Sequence, residues 1–74
     1  MTLETIFDAN CLQGYIEVDL YKDGNCDPIK IFRGEVNIFC PPALREYEHL
    51  EVDYIYPFTY SRGAGILIEL VEGE

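Results

Sequence analysis

Apolar residues alternate without interruption with charged and aromatic residues from Gly14 to Tyr21, in the sequence GYIEVDLY. This period of two is typical of a strand with one buried and one exposed face, because successive side chains of a strand point to opposite sides. The face that we expect in the core comprises Ile16, Val18 and Leu20. The face that we expect in solvent comprises Tyr15, Glu17, Asp19 and Tyr21. The KDGNCDP segment that follows predicts a turn and therefore a hairpin.

The segment from Ile29 to Cys40, IKIFRGEVNIFC, alternates on both sides of a central glycine. Gly34 is either a tight turn between two strands or a bulge within one long strand, because glycine adopts the positive φ that either feature needs. Both alternatives stay open. One face of the second half carries Val36, Ile38 and Cys40, and the other face carries Glu35, Asn37 and Phe39.

Two further strands are predicted in the last third of the chain. The first runs from Val52 to Phe58, where alternation places Val52, Tyr54, Tyr56 and Phe58 opposite Asp53, Ile55 and Pro57. The second runs from Ile66 to Val71 and follows a turn predicted at Gly63-Ala64-Gly65.

Two short helices complete the prediction. In the segment from Thr2 to Asn10, apolar side chains recur at helical spacing after a threonine that is a suitable N-cap, and these side chains are Leu3, Ile6 and Phe7. The prolines Pro41-Pro42 end the sheet and favour a helix of about two turns over ALREYEHL, because proline is favourable at a first helical position. The apolar side of that helix comprises Leu44, Tyr47 and Leu50.

The fold class indicated by these elements is β-rich α+β: a four- or five-stranded antiparallel sheet or small open barrel with one or two short helices. Its 74 residues are expected to form a single domain over 1–74 with one modest core, which supplies only about 3–5 kcal/mol. The strand residues expected in that core are Ile16, Val18, Leu20, Ile31, Val36, Ile38, Ile66, Ile68 and Leu70.

The charge of the chain favours some partners over others. Fourteen Asp and Glu against five Lys and Arg give a formal net charge of −9, which repels nucleic acid and anionic membranes and attracts basic protein surfaces. No apolar run approaches the roughly 20 residues of a membrane span, and the first ten residues lack the features of a signal peptide. We therefore expect a cytoplasmic protein that binds neither membrane nor nucleic acid directly.

Catalytic motifs are absent from the sequence. There is no glycine-rich phosphate loop, no GxSxG elbow and no HExxH helix, and the single His49 is interpreted as a solvated surface residue. The protein is therefore not expected to be an enzyme.

A structural zinc site is one hypothesis for the cysteines. Three cysteines and one histidine form a Cys₃His set that suits tetrahedral zinc, and these residues are Cys11, Cys26, Cys40 and His49. The spacing lacks paired ligands, however, and Cys40 shares a face with apolar residues, where a free cysteine behaves as a small hydrophobe. A site with two cysteines and other ligands, or no metal site, are the alternatives.

The acidic residues suggest a second kind of site. Glu17 and Asp19 are about 6.6 Å apart on one strand face, an interval similar to that between phosphates of a nucleic-acid strand. A second dense cluster comprises Glu46, Glu48, Glu51 and Asp53. The tyrosines that can act as rigid interface anchors beside them are Tyr15, Tyr21, Tyr54 and Tyr56. The alternative is that these acids only keep a small β protein in solution.

In size, acidity and compact β-rich design, the chain resembles the small phage-encoded inhibitors known as anti-CRISPR proteins. The residues that carry this resemblance are Glu17, Asp19, Glu35, Glu46, Glu48, Glu51 and Asp53. It implies stoichiometric inhibition in the host cytoplasm: the protein docks on a basic surface of an RNA-guided nuclease and blocks loading of target DNA. Two alternatives are a phage or bacterial assembly protein that self-associates through a strand edge and tyrosines, and a metal-stapled adaptor.

Overall fold

Two short helices and four strands make up the part of the chain that the structure describes, which is residues 1–8, 13–22, 27–37 and 40–72 of a computed structural model. In chain order they are α1 (Leu3–Asp8), β1 (Gln13–Lys22), β2 (Ile29–Asn37), a 3₁₀ helix (Pro42–Tyr47), β3 (Glu51–Tyr60) and β4 (Gly63–Glu72). The predicted β-rich α+β class, with four strands in an open sheet and two short helices, is confirmed.

The four strands form one sheet in the order β2-β1-β4-β3. The outer pairs, β1 with β2 and β3 with β4, are antiparallel, whereas the central pair of β1 and β4 is parallel. The sheet is therefore mixed rather than antiparallel throughout. The reason is that the chain leaves β2 at one edge, passes through the 3₁₀ helix and enters β3 at the opposite edge, which is the crossover that a parallel pair requires.

The segment around Gly34 forms one long strand, which was one of the two alternatives. Gly34 pairs regularly with Ile16, and the register shifts further along, where Val18 faces Phe32 and Asp19 faces Lys30. The residue left over between those two pairs is Ile31. The bulge therefore lies at an isoleucine and not at the glycine.

A second bulge lies in β3 and changes which side chains share a face. Val52 pairs with Leu70 and Tyr54 pairs with Glu69, so that Asp53 is the extra residue. The prediction that Val52 and Tyr54 share a face is therefore wrong, since Val52 faces the core and Tyr54 faces away from it. The hairpin turn also lies at positions 61–62 rather than at 63–65, because β4 already begins at Gly63.

The predicted first helix is confirmed as α1. The hydroxyl of Thr2 accepts a hydrogen bond of 3.4 Å from the N–H of Thr5, which is the geometry of an N-cap. The N–H groups of Leu3 and Glu4 donate to the carbonyl groups of Leu50 and Glu48, so that α1 begins alongside the segment before β3. The apolar side chains of α1 are buried as predicted; they are Leu3, Ile6 and Phe7.

The helix predicted after the two prolines is a 3₁₀ helix rather than two turns of α-helix. The N–H of Leu44 donates to the carbonyl of Pro41, and the N–H of Glu48 donates to the carbonyl of Arg45, both across three residues. Leu44 is fully buried.

The core lies on one face of the sheet, beneath α1 and the 3₁₀ helix. Of the strand residues predicted to be buried, the six that are buried are Ile16, Val18, Leu20, Val36, Ile68 and Leu70. Ile31 and Ile66 are half-buried and pack against this cluster. Ile38 lies outside the described residues.

Candidate binding surface on the uncovered sheet face

The face of the sheet opposite the core is here called the uncovered face, because both described helices contribute their apolar side chains to the other side. Residues that are directly paired across strands point to the same side, so the register defines its members. From β2 to β3 they are Asn37, Glu35, Arg33 and Lys30; Gln13, Tyr15, Glu17, Asp19 and Tyr21; Gly63, Gly65, Leu67, Glu69 and Val71; and Glu51, Tyr54, Tyr56, Phe58 and Tyr60. Five of the six tyrosines therefore lie on this one face.

An aromatic cluster occupies one end of the uncovered face. The rings of Tyr15 and Tyr60 are stacked with centroids 4.5 Å apart, and Phe58 meets Tyr15 edge to face at 6.1 Å. These rings meet across β4 because the β4 residues paired with Phe58 and Tyr60 are glycines, Gly65 and Gly63. The sequence pattern did not identify Phe58 or Tyr60 as members of a site, because their contact with Tyr15 depends on β4 lying between β1 and β3.

A charge cluster joins β1 to β2 on the same face. The ammonium group of Lys30 contacts the carboxylate of Glu17 and lies 2.9 Å from Asp19 Oδ1. The hydroxyl of Tyr15 donates a 3.0 Å hydrogen bond to the second carboxylate oxygen of Glu17. Asp19 Oδ1 has no aligned hydrogen bond among the described residues, so its contact with Lys30 is an ion pair.

The position of Glu17 and Asp19 differs from the exposed position that alternation predicts. Glu17 is half-buried and Asp19 is only 7% exposed, since Lys30 covers both. The hydrogen bond from Lys30 holds the pKa of Glu17 below its usual value, against the opposing effect of burial. Burial alone would lower the pKa of Lys30, but its bonds to Asp19 and Glu17 outweigh burial and raise it. Lys30 therefore compensates one of the two carboxylate charges, and the cluster keeps one net negative charge.

On the β3–β4 half of the uncovered face, Tyr56 and Glu69 form a hydrogen-bonded pair. The hydroxyl of Tyr56 donates a 2.7 Å hydrogen bond to Glu69 Oε2, and this bond raises the pKa of Tyr56. Tyr21 lies in the same negative surroundings: burial raises its pKa first, followed by the charges of Glu69 and Asp19. Tyr54, next to this pair, is 61% exposed.

Charge divides the sheet into two halves. Strands β1 and β2 carry three acidic residues (Glu17, Asp19 and Glu35) and three basic residues (Lys22, Lys30 and Arg33). Strands β3 and β4 carry four acidic residues (Glu51, Asp53, Glu69 and Glu72) and no Lys, Arg or His. The first half is balanced, whereas the strands of the second half carry a net negative charge.

The second predicted acidic cluster surrounds the start of β3. Glu46, Glu51 and Asp53 are exposed, and Glu48 is half-buried. Glu51 accepts a hydrogen bond of 3.1 Å from the amino group of Met1, which partly compensates its charge. Glu35 is exposed on β2, which is the edge strand at the other end of the sheet from β3.

The residues proposed for zinc are only partly described. Cys40 is half-buried and packs against the core, with its thiol 3.7 Å from the carbonyl oxygen of Pro41. Burial and then the charge of Glu48 raise the pKa of that thiol. His49 is exposed in the turn after the 3₁₀ helix. Cys11 and Cys26 lie outside the described residues, and the described parts of the chain contain no group of three potential metal ligands.

Comparison with known proteins returned no matching family model, no similar curated protein and no similar solved structure. Within the described ranges, neither helix has the length and apolar character needed to cross a bilayer.

Proposed function

We propose that this protein acts by binding, as a stoichiometric inhibitor that docks its acidic surface on a basic surface of a partner protein. The observation that carries the proposal is the charge division of the sheet. Strands β3 and β4 carry four carboxylates and no basic residue, and two of these carboxylates, Glu51 and Glu69, share the uncovered face with the exposed rings of Tyr54 and Tyr56. A surface of this kind attracts a basic partner and supplies aromatic anchors for the contact.

The net charge of −9 extends this attraction beyond direct contact. At physiological ionic strength the field of exposed charges reaches about 8 Å, so the acidic surface accelerates encounter with a positively charged cleft. The same field repels nucleic acid. The basic surface that the protein fits best is therefore one that otherwise holds DNA or RNA.

An RNA-guided nuclease is the specific partner that we propose, as the resemblance to anti-CRISPR proteins implies. Such nucleases hold the heteroduplex in a positively charged channel, and an acidic protein seated there blocks target DNA without any chemical turnover. Lys30 contacts the carboxylates of both Glu17 and Asp19, so we assign the imitation of phosphates to carboxylates outside this cluster. They are Glu46, Glu51 and Asp53, which are exposed, and Glu48 and Glu69, which are half-buried.

A competition experiment with target DNA tests this proposal directly. The affinity of a guide-loaded nuclease for target DNA is determined at rising concentrations of the protein, at low and at moderate salt. We expect the protein to compete with DNA for one site on the nuclease. Its affinity for the nuclease should fall as salt rises. The double reversal Glu48→Lys with Glu51→Lys should reduce inhibition while circular dichroism shows an unchanged fold. Unchanged inhibition by this folded variant at both salt concentrations would contradict electrostatic docking.

Self-association through β3 is the second candidate, because this edge strand exposes Tyr54, Ile55 and Tyr56. The edge is partly protected, however. The N–H of Val52 bonds to the carbonyl of Met1, and Pro57 lacks the N–H that a pairing strand would use. Sedimentation separates the two candidates, since an apolar self-association persists or strengthens in high salt whereas charge-driven docking weakens.

A further inference from the structure

Within the proposed docking function, on which this inference rests, we propose that the β3–β4 half of the uncovered face binds arginine side chains presented by an extended basic segment of the partner. The residues of this arginine site are Tyr54, Tyr56, Leu67 and Glu69, together with Tyr21 of the adjacent strand β1. The occupant is chosen by charge complementarity: the site faces outward from the half of the sheet that has no cation of its own.

The register brings the components of the site together. Glu69 lies between Asp19 of β1 and Tyr54 of β3, and the next pair on the same face is Tyr56 with Leu67. The site therefore presents one carboxylate among aromatic rings on neighbouring strands. Tyr21 follows on β1, where it pairs with Val71.

The carboxylate of Glu69 is already oriented. Tyr56 donates to Oε2, and a carboxylate can accept about four hydrogen bonds, so the remaining lone pairs are available to a second donor. A guanidinium group has two parallel N–H donors that match a carboxylate, whereas an ammonium group binds as a point charge. The geometry therefore favours arginine over lysine.

The tyrosine rings strengthen the same preference. A guanidinium stacks on the face of a tyrosine ring, and such a cation–π contact is worth about 0.5–1 kcal/mol at an exposed site. Tyr54 is 61% and Tyr56 is 42% exposed, so their rings are accessible without rearrangement of the sheet.

The other half of the uncovered face provides the contrast. Glu17 there is also bonded by a tyrosine, but Lys30 occupies the position that a partner's cation would take. An arriving arginine would have to displace an internal ion pair. We therefore expect binding at Glu69 and not at Glu17.

The experiment uses fluorescein-labelled nona-arginine and nona-lysine peptides, with binding to the full chain followed by fluorescence anisotropy at low and at physiological salt. Two variants change the site, Glu69→Gln and Tyr54→Thr. Two matched controls change equivalent groups elsewhere: Glu35→Gln removes one exposed carboxylate from β2, and Ile55→Thr removes an exposed apolar side chain from the opposite face of β3. Circular dichroism and thermal melting establish that all four are folded.

We expect nona-arginine to bind about threefold to tenfold more tightly than nona-lysine, as added cation–π contacts imply. Each site variant should lose about threefold to tenfold of the nona-arginine affinity, and each control less than about twofold. Equal affinity for the two peptides, equal losses in site and control variants, or a signal that follows self-association of the protein would overturn the arginine site.

Failure of this inference and failure of the proposed function give different results. If Glu48→Lys with Glu51→Lys abolishes nuclease inhibition while Glu69→Gln and Tyr54→Thr leave it intact, the arginine site is wrong and acidic docking stands. If the site variants lose arginine binding but the wild-type protein never competes with DNA, the arginine site stands and the proposed inhibitor function is wrong.

Discussion

The rings of Tyr15 and Tyr60 stack with their centroids 4.5 Å apart, although β4 runs between the two strands that carry them. The β4 residues beside these rings are Gly63, which pairs with Tyr60, and Gly65, which pairs with Phe58. A Cβ atom at Gly65 would lie 2.9 Å from both the ring and the carbonyl oxygen of Tyr15, and 3.1 Å from the ring of Phe58. The absence of a side chain at Gly65 thus leaves room for the contact of Tyr15 with Phe58 across β4.

Gly65→Ala should therefore destabilise the protein. One of the contacting atoms is backbone oxygen, which cannot move aside as a flexible side chain can, and overpacking of this kind costs about 1–3 kcal/mol. The melting temperature should fall by about 4–8 °C for each kcal/mol in a domain of this size.

Gly34→Ala is the matched control for that substitution. A Cβ at Gly34 would meet only the ring of Phe32 at 3.5 Å, which is an ordinary contact. Replacing a strand glycine with alanine removes an entropic cost of about 0.5–1 kcal/mol, so this variant should be neutral or slightly more stable. Equal melting temperatures for the two variants would show that the space at Gly65 is not needed.

A second prediction concerns Lys30. Lys30→Met leaves the carboxylates of Glu17 and Asp19 close together without a cation, and Asp19 is buried. We expect the free energy of unfolding in urea to fall by about 1–3 kcal/mol, the cost of leaving a buried polar group unpaired. The control Lys22→Met removes an exposed cation from the end of β1 and should change stability by no more than about 0.5 kcal/mol. A loss of the same size in both would point to net charge rather than to the ion pair.

The contribution of the ion pair between Lys30 and Glu17 should also be measurable as a loss of stability at acid pH. The pKa of Glu17 is lower in the folded protein than its ordinary value of about 4.3, so Glu17 contributes stability that is present above that pH and is lost as the pH falls through the folded pKa. Urea unfolding of the wild type at a series of pH values should show a decline that begins below about pH 4.3. In Glu17→Gln this part of the decline should be absent, and an unchanged acid profile would contradict the assignment.

Tyr56 gives a prediction at alkaline pH. Its pKa lies above the ordinary tyrosine value of about 10, first because its hydroxyl is bonded to the carboxylate of Glu69. In Glu69→Gln the negative charge is gone, so the pKa of Tyr56 should fall toward that ordinary value. Carbon NMR of labelled tyrosine measures each ring separately. Tyr47, in the 3₁₀ helix, is the internal control, since its pKa is raised by a hydrogen bond to Glu46 and should not respond.

Alternation along the chain predicted much of this fold. The uninterrupted pattern of β1 identified its buried apolar residues, and the helical spacing in α1 did the same for Leu3, Ile6 and Phe7. Both bulges were missed. They lie at Ile31 and Asp53, neither of which is a residue that marks a bulge, whereas the glycine that does mark one, Gly34, is regularly paired.

The site was less predictable than the core for the same reason. Tyr54 and Tyr56 were proposed as interface anchors and both are exposed, but a single extra residue at Asp53 decides which side of the sheet Val52 occupies. The burial of Asp19 depends on Lys30, which reaches it only through the register of β1 with β2. Such contacts between distant residues require strand order and register, which local periodicity does not contain.

The parallel pairing of β1 with β4 has a consequence for how the chain folds. Ile16 and Ile66 are partners 50 positions apart, and they belong to the contact that joins the two hairpins. A polypeptide emerging from the ribosome can close the β1–β2 hairpin early, yet that hairpin has no inner neighbour until β4 has been synthesised. Because contacts of long sequence separation slow folding, the domain should complete its core only after synthesis of β4, and its nascent hairpin should meanwhile be a substrate for chaperones.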